Sequence, residues 1–213
     1  MKRPNSRPAR AAPSAGGLKM LVLDVGMCHT GWAVVAIDDG SLVACGHIDT
    51  EKSSKKAAIR AADDTVRRCQ ELTRELLSIV YCHGVCCMAA ELPGGGGKSS
   101  SAVKSMAIAT ALVAAVAEFT ELPAEWVSPQ QNKKGATGRN NASKDEMMDA
   151  AGKLYPQLVI EYRHQAGRYA GQWKGEFEDV ADAICVWQSV RDGQLARTYR
   201  RRPGTLQVPI SKE

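Results

Sequence analysis

From Lys19 the chain runs Met20-Leu21-Val22-Leu23 into Asp24, turns at Gly26, and resumes after Gly31 as Trp32-Ala33-Val34-Val35. Short runs of large and β-branched apolar residues on either side of a glycine predict two strands flanking a tight turn, at about 19–25 and 30–38. Asp38-Asp39-Gly40 is a hairpin signal, and it leads into a third strand at about 41–49, so the opening is an antiparallel meander. The period then changes. Between Ser53 and Tyr81 the apolar positions Ala62, Val66, Cys69, Leu72, Leu76 and Val80 fall three or four apart with charged residues between them, which predicts a long amphipathic helix ended by Gly84. Val85 to Ala90 reads as a short strand delivering Glu91, after which Pro93 and four glycines break regular structure.

Ser99 to Phe119 predicts a second helix, with Ala102, Met106, Ala109, Val113 and Val116 on one face and many alanines that permit close packing on a sheet. Ala124 to Val127 is the fifth strand, and Pro129 to Ala142 reads as a polar, basic loop. Ser143 and Glu146 form a capping box for a third helix to about Leu154. A short strand is expected at Leu158–Tyr162, then a loop. The last helix, Phe177 to Val190, carries Val180, Ala183, Ile184 and Trp187 on one stripe, and Asp179 and Asp182, three apart, share a face near its start. Beyond Asp192 the chain is basic and is expected to fray.

Composition adds little to the fold and more to the partner. The 213 residues, 44% hydrophobic and 24% charged, suit one globular domain with tails: a disordered basic tail over 1–18, a folded domain over 19–190 and a basic tail over 191–213. Met1 to Gly17 lacks an apolar segment long enough for a signal peptide, and no run approaches about 18 apolar residues, so the expectation is a cytoplasmic protein with no membrane partner. Seven cysteines, an odd number scattered through predicted elements, read as free thiols. Cys82-His83-Gly84-Val85-Cys86-Cys87 lacks the second ligand pair that a zinc site needs. The net charge of +5 is concentrated at the ends, since residues 1–19 carry five bases and no acid and residues 191–213 six bases and two acids. Basic arms on a mildly acidic body fit a polyanionic partner, or serve solubility alone.

The candidate chemistry lies in four acids. Carboxylates are rarely buried unless paired, hydrogen-bonded or bound to metal, yet Asp24 and Glu91 each end an apolar strand and Asp182 sits between apolar neighbours. Singly, each has a local reading: a turn residue for Asp24, a solvated strand end for Glu91, a helix-dipole acid for Asp179. Together, four converging carboxylates repel unless divalent cations sit among them, and hard oxygen ligands select Mg²⁺ or Mn²⁺. Two such ions about 4 Å apart serve phosphodiester hydrolysis, which points to nuclease or phosphoryl-transfer chemistry.

The element order resembles the ribonuclease H-like fold, an α/β architecture with a five-stranded mixed sheet flanked by helices. Asp24-Val25-Gly26-Met27-Cys28-His29-Thr30-Gly31-Trp32 resembles the D-x-G-x-x-x-T-G-[WY] opening of RuvC-type Holliday junction resolvases, and Asp179-Val180-Ala181-Asp182-Ala183 their closing D-x-x-D-A. The match runs from about residue 20 to 190. The resemblance implies Asp24, Glu91, Asp179 and Asp182 as catalytic metal ligands for two Mg²⁺ ions per active site, with Mn²⁺ able to substitute. Gly138-Arg139-Asn140-Asn141-Ala142-Ser143-Lys144 is similar to the family's G-x-G-x-[AS]-x-K, which implies a catalytic Lys144 close to the scissile bond. Asn140 stands where the second glycine is expected, and Asn tolerates positive φ better than most residues.

The implied activity is paired nicking of branched DNA, four-way junctions first, by a homodimer whose two-fold axis matches that of the junction. The departure is Pro93 to Ser101, PGGGGKSSS, where family members carry longer side chains that enter the junction. A Walker A reading fails because glycine is needed where Leu92 stands. Gly94, Gly95, Gly96 and Gly97 are instead expected to let a DNA backbone approach, with Lys98 and the helix start at Ser99 meeting phosphate. Lys133, Lys134 and Arg139 join Lys144 in a second basic cluster for phosphates. Two rival readings stand beside this one: a nuclease of the same fold acting on flaps or RNA–DNA hybrids, and a non-catalytic module that binds branched DNA.

Overall fold

The computed structural model describes residues 17–54, 59–92 and 99–200. The meander forms as the pattern predicts: β1 (Lys19–Asp24), β2 (His29–Ala36) and β3 (Leu42–Asp49) are antiparallel neighbours. Gly40, at φ 73°, turns the hairpin, and Asp39 Oδ1 accepts the Ser41 amide at 2.9 Å. β4 (Cys87–Glu91) lies parallel to β1 on its other side, and β5 (Ala124–Val127) runs parallel to β4. The order is β3-β2-β1-β4-β5, a five-stranded mixed sheet.

Alternation along the central strands gives this sheet two apolar faces. Leu21, Leu23, Trp32 and Val34 pack with α1 (Ala61–His83) and α2 (Ser100–Phe119). Met20, Val22, Ala33 and Val35 pack with α4 (Lys144–Leu154), α5 (Gln157–Tyr162), α6 (Phe177–Val190) and α7 (Gln194–Arg200). By length and composition α2 alone among the described helices could cross a membrane, but Ala109, Val113, Val116 and Ala117 on it are buried against the sheet.

Four elements differ from the sequence expectation. Residues 129–142 are not all loop, because α3 (Pro129–Thr137) opens there with Pro129 in its first turn and a capping box in which the Ser128 hydroxyl accepts the Gln131 amide while the Gln131 side chain accepts the Ser128 amide. The strand expected at Leu158–Tyr162 is α5; the buried pair Leu158 and Tyr162 is spaced one helical turn apart, and so short an apolar run fits either period. α1 begins at Ala61 rather than near Ser53, which instead bonds the Asp64 carboxylate through its amide and hydroxyl. Residues 193–200 do not fray: Ala196 is buried, the Tyr199 hydroxyl donates to the Cys86 carbonyl at 3.0 Å, and Arg200 Nε to the Ile37 carbonyl at 2.8 Å. The folded part therefore reaches Arg200 rather than stopping near 190. All seven cysteines are free thiols.

Candidate active site

The parallel pairing of β1 with β4 sets Asp24 directly beside Glu91, so two carboxylates end adjacent strands at one level. On the other side of β1, Asp24 is in register with Gly31 of β2. A Cβ on Gly31 would lie 1.8 Å from the Asp179 carbonyl oxygen, so the first turn of α6 rests directly on strand backbone, as only glycine permits. That contact brings Asp179, and Asp182 one turn on, to the level of Asp24. The four predicted acids are thus brought together, each half-buried.

Their electrostatics agree. Burial holds the Asp24 carboxyl well above the ordinary carboxylate range, and the charges of Asp182, Glu91, Asp179 and Glu178 push it further. Burial, then Glu91, Glu178 and Asp179, raises Asp182 to about 7. Glu91 and Asp179 are also raised, mainly by burial. A cluster that holds protons so tightly is short of positive charge.

One residue of the site was not visible as such in the sequence. Asn132, on α3, is fully buried; its Nδ2 donates to Glu91 Oε2 at 2.5 Å and to the Asp182 main-chain carbonyl at 3.1 Å. It ties β4, α3 and α6 together at the acids and lowers the proton affinity of Glu91 against the effect of burial. Its Oδ1 is buried with no partner among the described residues. The signal that could have found it is the Ser128-Pro129-x-Gln131 start, which turns the presumed loop into a helix and gives Asn132 a defined face.

The loop after Asp24 is held from within and from behind. The Thr30 hydroxyl donates to the Gly26 carbonyl at 2.5 Å, closing the turn. Arg68 of α1, buried, donates to the Met27 carbonyl at 2.9 Å and to Thr50 Oγ1 at 3.0 Å, while Thr50 itself bonds the Met27 carbonyl.

The basic residues fare differently. Lys144 opens α4 beside the acids but is ion-paired with Glu178, which raises its pKa. Arg139 is ion-paired with Glu146, whose carboxylate also closes the capping box with Ser143. Lys133 lies near enough to Glu91 to stabilise its charge, and Lys134 is exposed. Ser99 caps α2 by accepting the Ala102 amide at 3.2 Å. Gly94 to Gly97 and Lys98 lie outside the described residues. The left-handed backbone of the 138–144 segment falls on Gly138, at φ 78°, so Asn140 is not asked to adopt positive φ. A groove of about 560 Å³ bordered by Arg139, Glu146, Asp149 and Lys153 contains none of the four acids.

The donor set is oxygen throughout, half-buried, and raised in proton affinity, which fits a hard divalent cation. Among the described residues no three acidic, histidine or cysteine side chains stand close enough together to hold a metal ion.

Sheet order, the crossing of α6 and the acids at the strand ends define a ribonuclease H-like fold. No family model matches the chain, and no curated protein matches it. Among solved structures it is similar to T. thermophilus RuvC in complex with Holliday junction substrate, with a TM-score of 0.59 and 16% identity over 81% of this chain and 92% of that one. The yeast mitochondrial Holliday junction resolvase Ydc2 matches with a TM-score of 0.55 and 14% identity, over 89% and 85%. At these identities the likeness establishes the fold.

Proposed function

We propose that the protein is a divalent-metal-dependent endonuclease that nicks branched DNA, with four-way junctions as its main substrate. The observation that carries this reading is the convergence of Asp24, Glu91, Asp179 and Asp182 at one end of the sheet, with the charge deficit that their raised proton affinities record. The substrate class is supported by the similar structures, both resolvases and one of them in complex with a Holliday junction substrate.

Asp24, Glu91, Asp179 and Asp182 would hold two Mg²⁺ ions, or Mn²⁺ in their place, which when bound supply Lewis acidity for phosphodiester hydrolysis. Asn132 orients the Glu91 carboxylate. Gly31 fixes where the α6 acids stand. Lys144, at the rim, exchanges Glu178 for a phosphate oxygen when DNA arrives, and Lys133, Lys134 and Arg139 add phosphate contacts that position the strand without reading its sequence. A homodimer with two-fold symmetry places two such sites for paired nicks.

The test compares wild type with Asp24→Asn and Asp182→Asn on four-way junctions, flaps, RNA–DNA hybrids and linear duplex, scoring cutting in Mg²⁺ and binding in Ca²⁺. Expected are paired nicks on junctions by wild type only, with junction binding retained by the variants. Cutting by either variant at the wild-type rate removes the site assignment, and a preference for flaps or hybrids removes the junction.

A further inference from the structure

The segment between α5 and α6 has no part in the chemistry above, yet it is built with care. It closes on itself through an antiparallel bridge between Arg163 and Trp173, with the His164 amide donating to the Gln172 carbonyl at 3.0 Å and the Gly171 amide to the His164 carbonyl at 2.8 Å. Gly167 and Gly171, at φ 83° and 81°, make the turns at its far end. Its root is locked. Trp173 stacks on Phe177 with centroids 4.6 Å apart, Phe177 stacks on Tyr162 at 4.8 Å, and the Arg163 guanidinium covers the Trp173 ring at 4.1 Å. Asp149 accepts from both Arg163 and Trp173 Nε1, at 2.8 and 2.9 Å.

The tip contrasts with this root. Tyr169 is 52% exposed, with the Arg168 guanidinium 5.8 Å and the His164 ring 5.8 Å from its ring. Arg168 has no ion-pair partner among the described residues, and no acid occurs from Arg163 through Gly175. A single exposed aromatic ring needs no explanation on a floppy loop. Here the ring and its arginine are presented on a mount that is already ordered, which lowers the entropic cost of using them.

We propose that the Arg168–Tyr169 tip is a stacking platform for an unpaired nucleotide at the branch point of a DNA substrate. An aromatic face flanked by a guanidinium is the recurring means of holding an unstacked base beside its phosphate, and it tolerates any sequence. Location supports the assignment: the root residue Phe177 is the first of α6, two positions before Asp179, so the root of this loop and the acids share the same end of one helix. The inference rests on the branched-DNA reading of the site and names the part of the substrate that this loop takes.

The experiment uses the full chain in Ca²⁺, with wild type, Tyr169→Ala, Tyr169→Phe and Arg168→Gln titrated onto four-way junctions, single-stranded oligonucleotide and linear duplex. The DNA carries 2-aminopurine at successive branch-point positions. Expected is a loss of branched and single-stranded binding on the order of tenfold for Tyr169→Ala, with Tyr169→Phe within about twofold of wild type and a 2-aminopurine quench that only the alanine variant abolishes. Unchanged binding and quench in Tyr169→Ala overturn the proposal, and so does a phenylalanine variant as weak as the alanine one. If Tyr169→Ala is silent while wild type cuts junctions, the platform falls and the nuclease reading stands. If Tyr169→Ala loses binding but wild type cuts no branched DNA, the platform stands and the nuclease reading falls. Wild type that binds no branched or single-stranded DNA ends both.

Discussion

Replacing Asp182 by asparagine should make the metal-free protein more stable while ending its proposed activity. The folded state holds this carboxyl's proton up to about pH 7, whereas in the unfolded chain the group ionises near 3.8. Between those values the unfolded chain has released a proton that the folded one retains, so stability falls as pH rises, by about 1.4 kcal/mol per pH unit, and levels off above about 7. The accumulated cost at about pH 8 is at most about 4 kcal/mol, a large share of the total stability of a domain this size. Asparagine carries no charge to desolvate and does not repel Glu91 or Asp24. Urea titrations in EDTA, followed by tryptophan fluorescence from about pH 4 to 8, should show the two proteins alike at the acid end and Asp182→Asn more stable by about 2–4 kcal/mol at the alkaline end. Added Mg²⁺ should then raise the stability of wild type far more than that of the variant. A variant equal to or weaker than wild type at pH 8, or one keeping the full wild-type slope, would refute the electrostatic account of the site.

Gly31→Ala forces a Cβ into the Asp179 carbonyl and should cost about 1–3 kcal/mol in melts, with cutting lost beyond what the destabilisation explains because the α6 acids are displaced. Asn132→Ala removes the amide that opposes the burial-driven rise of Glu91, so the Glu91 proton affinity rises further and the acid limb of the pH–rate profile should move to higher pH; an unmoved limb denies Asn132 that role. Arg68→Met removes one of the two donors to the Met27 carbonyl and the donor to Thr50 Oγ1, at a cost of about 1–3 kcal/mol. Hydrogen exchange should show residues 25–29 losing protection in that variant ahead of the rest of the sheet.

The parts of this molecule that could be read from sequence are those whose signal is local. Apolar runs that end in an acid gave β1 with Asp24 and β4 with Glu91, and the three-residue spacing of Asp179 and Asp182 gave one face of α6, because strand ends and helix faces follow from period alone. Ser143 and Glu146 announced α4 for the same reason. What stayed hidden depends on partners far along the chain. Asn132 lies in a polar, basic stretch that looks solvated, and only the meeting of β4 with α6 buries it. Lys144 and Arg139 read as cations open to phosphate until folding brings Glu178 and Glu146 to them. α7 carries too little apolar surface to predict, and it is held through Tyr199 and Arg200 by the carbonyls of Cys86, just before β4, and Ile37, just after β2, more than a hundred residues earlier.

The seat of α6 on Gly31 has a bearing on how such a protein diversifies. Because main chain meets main chain there, the acids take their positions from backbone rather than from the shapes of intervening side chains. The aliphatic residues of both sheet faces are therefore free to drift in identity so long as volume is kept. A frame shared with T. thermophilus RuvC at 16% identity is then no paradox. Mutational tolerance across β1 and β2 should be broad at Val22 or Val34 and close to nil at one glycine.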